Sequence, residues 1–130
     1  KPSSAASDVY KRQLLAYSPL AQGYLTGKHQ GGARPAGART TLFERGARYQ
    51  KPGTEAAIDS YLQVAREFDL DPAHLAIAYV TSRHFVTSNI IGATRLDQLK
   101  TDLASRQVVI TPEIEARIDQ VHQLHGSPAP

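Results

Sequence analysis

The stretch from Val86 to Leu103, VTSNIIGATRLDQLKTDL, constrains the fold more than any other part of the chain. A run with β-branched residues (Val86, Ile90, Ile91) stops at Gly92, and a helical pattern then begins, with Leu96, Leu99 and Leu103 at i, i+3 and i+7. This is a strand, a tight turn and a helix. Gly92 lets the backbone approach a ligand with no side chain between them. Thr94 is placed to cap the helix, and Arg95 to set a guanidinium at its first turn. Exposed N–H groups at a helix start, the helix dipole and an arginine together suit a phosphate. An ordinary strand-to-helix connection, whose glycine only closes the turn, would use the same residues.

A second strand-like run stands far upstream. Leu14 to Tyr17 is a short continuous apolar segment of the kind a parallel sheet covers on both faces, and Ser18-Pro19 ends it. AQGYLTGKHQGGARPAGART follows, with Gly23, Gly27, Gly31, Gly32 and Gly37 interleaved with Lys28, Arg34 and Arg39. Structureless loops longer than about 12 to 15 residues are usually functional or disordered. Glycines among cations favour a flexible loop that embraces an anion, and a solvated basic linker is the alternative.

Helices make up most of the remainder. Thr54 to Phe68 is amphipathic, with Ile58, Tyr61, Leu62, Ala65 and Phe68 on one face and Thr54 as a suitable N-cap. Asp71-Pro72 opens a further helix, AHLAIAYVTS, apolar on nearly every side and therefore expected to be buried. After an extended piece at Val108 to Ile110, Thr111-Pro112-Glu113 starts a last helix with Ile114, Ile118 and Val121 as its inner stripe. Its end passes into a tail at residues 126–130. Lys1 to Gln13 is polar and Ser/Ala-rich, and reads as a disordered or non-homologous leader in front of a domain spanning residues 14–125.

Strand, loop, helix, helix, strand, helix, helix describes βα units with parallel strands. Two parallel strands cannot cover their own faces and edges, and parallel sheets occur almost only within larger α/β folds. The expected class is therefore α/β, with the chain carrying the last units of a larger barrel or doubly wound sheet.

Composition narrows the function classes. With 130 residues, 41% of them hydrophobic, the chain suits one domain. Its +3 net charge is scattered rather than gathered into a basic block, so nucleic acid is not an expected partner. The absence of cysteine removes disulfides, thiolate metal sites and cysteine nucleophiles, and fits a cytoplasmic location. No apolar run approaches the roughly eighteen residues of a membrane span, so a membrane is not expected either. GxSxG, HExxH, GxGxxG and GxxxxGK[ST] are all missing. His122 and His125 sit at i, i+3 without a cysteine or second ligand pair nearby, and are read as surface residues. No metal site and no general acid or base is nominated. What stands out is a pair of anion-friendly turns, Ser18 through Lys28 and Gly92 through Gln98. In neighbouring parallel strands both lie at the carboxyl edge of the sheet, where α/β barrels bind ligands and often phosphates.

LLAYSPLAQGYLTGK (Leu14 to Lys28), PAGARTTLFER (Pro35 to Arg45), LDPAHLAIAYV (Leu70 to Val80) and IIGATRLDQLKTDL (Ile90 to Leu103) together resemble the C-terminal part of an aldo-keto reductase. The likeness is greatest to bacterial members related to the potassium-channel β-subunit. It implies the C-terminal portion of a (β/α)8 barrel, with two parallel strands and about four helices, that uses NADPH without a Rossmann fold to reduce aldehydes and ketones. By the same resemblance, Tyr17 would stack on the nicotinamide, Ser18, Leu20, Gln22 and Gly23 would line the pyrophosphate, and Lys28 would supply charge. Arg39 would fold over the cofactor. Gly92, Thr94 and Arg95 would surround the 2′-phosphate, and Gln98 and Asp102 would flank the adenine. The family usually has Asn where this chain has Asp102, which implies a modestly weaker grip. Its catalytic Asp, Tyr, Lys and His lie in earlier strands, so no catalytic residue is assigned here and the chain by itself is expected to be inactive. The small-molecule carbonyl substrate and the oligomeric state stay open. A non-catalytic module that senses the nucleotide is the alternative.

Overall fold

The computed structural model describes residues 13–43 and 47–129. The leader expected over residues 1–13 falls outside them except for Gln13, as does Arg45.

Two strands, β1 (Leu15–Tyr17) and β2 (Ser88–Ile90), pair in parallel, with Leu15 opposite Ser88, Ala16 opposite Asn89 and Tyr17 opposite Ile90. Both are shorter than their apolar runs. Among the described residues five α-helices accompany them: α1 (Arg39–Phe43), α2 (Thr54–Glu67), α3 (Pro72–Thr81), α4 (Leu96–Ala104) and α5 (Pro112–His125). Two parallel neighbours at this sequence separation, with helices between and after them, are βα units of an incomplete (β/α)8 barrel.

The core lies in the helix layer. Val64 and Ala65 of α2, Leu75 of α3, and Ile114, Ile118 and Val121 of α5 form one buried cluster, with Tyr61, Phe68, Leu70, Tyr79 and Ile110 packed against it. The stripe Ile114, Ile118, Val121 is therefore the inner face of α5. Ala73, Leu75, Ile77 and Ala78 are buried in α3, while Pro72, His74, Ala76, Tyr79 and Val80 are half-buried, so this apolar helix is covered less completely than expected. Asp71 caps that helix by accepting from Ala73 N–H at 2.7 Å and His74 N–H at 3.2 Å, and Thr111 caps α5 through Ile114 N–H. Arg117 on α5 grips Glu67 on α2 at 2.8 and 2.9 Å, and Arg83 pairs with Glu115.

Two caps differ from the reading of the sequence. Gly53, at φ 83°, takes the N-cap of α2, so Thr54 is already helical and its hydroxyl donates instead to Pro128 O in the tail. Arg95, extended at φ −138°, takes the N-cap of α4, leaving Thr94 one residue outside. In each case the residue with non-helical backbone angles holds the cap, whatever its side chain.

The sheet joins the helix layer through one face only. Asn89 donates to Ile77 O and Thr81 Oγ1 of α3, while on the opposite face Leu15, Tyr17 and Ile90 are exposed. In a closed barrel that second face is the interior.

Candidate functional site

Both turns expected to hold an anion lie at the carboxyl ends of β1 and β2, and the parallel register places them side by side. Between them runs a groove of about 540 Å³, within the range of small-molecule sites. Eleven of the twelve residues singled out from the sequence line it: Tyr17, Ser18, Leu20, Gln22, Gly23 and Lys28 from the first turn, Arg39 from the strap, and Gly92, Thr94, Gln98 and Asp102 from the second turn and α4. Arg95 is the exception.

The turn after β1 is held in an unusual backbone. Ser18 (φ 57°), Ala21 (49°) and Gln22 (57°) adopt left-handed conformations without being glycine, and Gly23 follows at 95°. Each non-glycine residue there costs on the order of 1 kcal/mol or more, and such strain concentrates at ligand clamps. Ala21 N–H donates to Ser18 O and Gly23 N–H to Leu20 O, while Thr26 Oγ1 closes back on Gly23 O at 2.8 Å. The loop read as flexible is thus a chain of short 3-10 turns (Ala21–Thr26, Gln30–Gly32). A methyl group on Gly23 would collide with the end of the Lys28 side chain, so the missing Cβ is what lets that ammonium lie across the turn.

The strap carrying Arg39 is anchored by His29. Its ring bonds Ala33 O at 3.1 Å and Thr40 Oγ1 at 3.2 Å and packs on Tyr24 at 4.6 Å between centroids. With its neighbour Thr40 buried and fixed, Arg39 stays exposed on the groove side.

After β2, the Thr94 N–H and hydroxyl both donate to Gln98 Oε1, at 3.0 and 3.1 Å, which closes the start of α4. A Cβ built on Gly92 meets only open space, so glycine is not required there by crowding within the chain. The Arg95 guanidinium turns onto Asp97, with Nε to Oδ1 at 3.0 Å and Nη2 to Oδ2 at 2.8 Å. Hydrogen bonding from Arg95 holds the Asp97 carboxyl below the usual carboxylate range.

Sequence reasoning missed Asp71, Asp97 and Thr101, which also line the groove. Helical spacing was the signal for two of them: Thr94, Asp97, Gln98, Thr101 and Asp102 form the polar stripe opposite the leucines. That stripe faces the groove, whereas Leu96, Leu99 and Leu103 are exposed. Three carboxylates on the wall of an anion site would conflict, but two are already engaged and the third is buried. Asp71 caps α3, Asp97 holds Arg95, and Asp102 is only 5% exposed, its carboxyl pushed up by burial against the opposing influence of His74. Gln22 Oε1 and Asp102 Oδ2 are buried without a hydrogen-bond partner, two polar atoms available to a ligand in the groove.

Burial of Asp102 sets a pH dependence. A carboxyl raised above 3.8 binds its proton more tightly in the folded chain, so its contribution to stability is full below that pH and is lost as pH rises toward the raised value. Asp102→Asn is expected to remove this decline and to stabilise the fold at neutral pH by about 1 kcal/mol. Urea midpoints of the complete protein with and without the substitution, from pH 4 to pH 8, check it.

Among the described residues no competing centre emerges elsewhere. Ser60 Oγ lies 2.9 Å from His125 Nε2, but its hydroxyl donates to Ala56 O, so the imidazole N–H donates to the oxygen and is no base for it. Among the described residues no group of three or more His, Cys, Asp or Glu is placed to hold a metal, and no helix is long and apolar enough to cross a membrane.

Known proteins resemble this chain over most of its length. The model described as "Aldo/keto reductase family" matches residues 9–123. "Protein tas" of Escherichia coli is 48% identical over 118 residues, covering 91% of this chain and 34% of that protein. A "Probable voltage-gated potassium channel subunit beta" of Arabidopsis thaliana is 34% identical over 119 residues, covering 85% of this chain and 35% of that protein. The solved structure of a glycerol dehydrogenase from Gluconobacter oxydans superposes with a TM-score of 0.70 at 22% identity, over 97% of this chain and 38% of the other. The chain thus spans about a third of the length of the curated relatives it matches.

Proposed function

Because the chain belongs to the aldo/keto reductase family, we propose that its groove binds NADPH and serves a cytoplasmic enzyme that reduces small aldehydes or ketones. The observation that carries this is the convergence of eleven family-type positions from two distant segments on one groove beside the sheet's carboxyl edge. The groove fits the cofactor: its volume is adequate, Lys28 and Arg39 supply cations, and Gln22 Oε1 and Asp102 Oδ2 await partners.

When bound, NADPH supplies the hydride. This chain's residues hold and orient it. Tyr17, 71% exposed at the end of β1, offers a flat face for the nicotinamide ring. Ser18 to Gly23 present the pyrophosphate with a strained, preformed turn, and Lys28 neutralises it. Arg39 closes over the cofactor. Gly92, Thr94 and Arg95 take the 2′-phosphate, with Gln98 and Asp102 beside the adenine. The tyrosine, lysine, histidine and aspartate of carbonyl reduction belong, on this reading, to earlier strands of the whole enzyme, and proton transfer is theirs.

Titrating the complete protein with NADPH and NADH tests the assignment. Lys28→Ala is expected to weaken both cofactors alike by about 1 kcal/mol, roughly fivefold, because the pyrophosphate is common to them. Unchanged binding of both would remove the first turn from the site. Likeness to proteins titled potassium channel β-subunits supports a second reading, a nucleotide-sensing module without catalysis. Cofactor binding with no carbonyl turnover by the complete protein would favour it.

A further inference from the structure

We propose that Asp97 sets the nucleotide preference of the groove: its carboxylate occupies the Arg95 guanidinium in the free protein, and a 2′-phosphate must displace it. The inference rests on the reading of the groove as a dinucleotide site. Arg95 meets Asp97 through two parallel contacts, Nε to Oδ1 at 3.0 Å and Nη2 to Oδ2 at 2.8 Å, the forked geometry that guanidinium offers equally to carboxylate and phosphate. The outcome of this pairing is visible in the groove. Asp97 lines the wall, whereas Arg95, alone among the twelve expected residues, does not.

The exchange requires little of the backbone. Arg95 is the N-cap and Asp97 lies two residues on, so rotation of the arginine side chain suffices while the Thr94 to Gln98 hydrogen bonds hold the turn. With the side chains 71% and 62% exposed, the pair is a weak surface contact that a doubly charged phosphate can replace. A cofactor without the 2′-phosphate never meets Arg95, so Asp97 opposes NADPH selectively.

The test measures Kd for NADPH and NADH in the complete protein carrying Asp97→Asn, Arg95→Ala or both, with helix content checked by circular dichroism. Asp97→Asn is expected to tighten NADPH about three- to fivefold, with a smaller change for NADH, and the gain is expected to vanish in the Arg95→Ala background. No gain, or weaker NADPH binding, in Asp97→Asn overturns the proposal. A gain of the same size with Arg95 absent also overturns it, since general charge repulsion would then suffice. If Arg95→Ala alone leaves NADPH unchanged, the phosphate assignment itself fails, a result separate from the other two.

Discussion

Replacing Arg95 with alanine is expected to weaken NADPH by about 1.5 to 3 kcal/mol, on the order of ten- to 150-fold, while NADH binding hardly changes. The size follows from charge-assisted hydrogen bonds between a forked guanidinium and a phosphate dianion. The selectivity follows because the two cofactors differ only at the 2′ position. The substitution should leave the fold intact. In the free protein Arg95 is largely exposed and pairs only with a surface carboxylate, and its backbone, not its side chain, provides the N-cap of α4. Fluorescence titration with each cofactor gives the answer, and equal weakening of both would remove Arg95 from the phosphate subsite.

The isolated 130-residue polypeptide is expected to show no NADPH-dependent turnover of any aldehyde and to unfold with low cooperativity. The helix layer has a genuine core around Val64, Ala65, Leu75 and Ile118. The sheet does not: Leu15, Tyr17 and Ile90 are exposed on what would be the barrel interior, and Leu96 and Leu103 of α4 are 68% and 55% exposed. Apolar surface of this extent beside the open edges of a two-stranded sheet favours self-association over stable folding. Denaturant titration followed by near- and far-ultraviolet circular dichroism, with an assay against a panel of aldehydes, checks both parts. Sharp coincident transitions together with turnover would contradict them.

Much of the candidate site was legible because its turns carry strong local signals. Gly92 after β-branched residues and leucines at helical spacing locate the second turn, and Ser18-Pro19 followed by glycines and Lys28 locates the first. That they form one groove follows from the rule for parallel strands, with no knowledge of side-chain packing. Other features depend on tertiary context. Nothing in alanine or serine announces a left-handed backbone, so the strain at Ser18 and Ala21 is invisible in sequence. The cap of α4 passed from Thr94 to Arg95 because backbone angles decide it, and threonine's propensity is only a prior. Burial of Asp102 arises where α4 packs on α3, a long-range contact that a surface-like pattern of polar residues conceals. The anchoring role of His29 has no sequence signal because its partners, Ala33 O, Thr40 and the Tyr24 ring, are not charged.

The most direct test of the central claim is hydrogen–deuterium exchange of the complete protein with and without saturating NADPH. A single cofactor spanning both turns slows exchange in residues 18–28 and in residues 92–98 together and leaves the helical amides of α5 unchanged. Protection of only one turn, or of neither while titration shows NADPH bound, would contradict the shared groove.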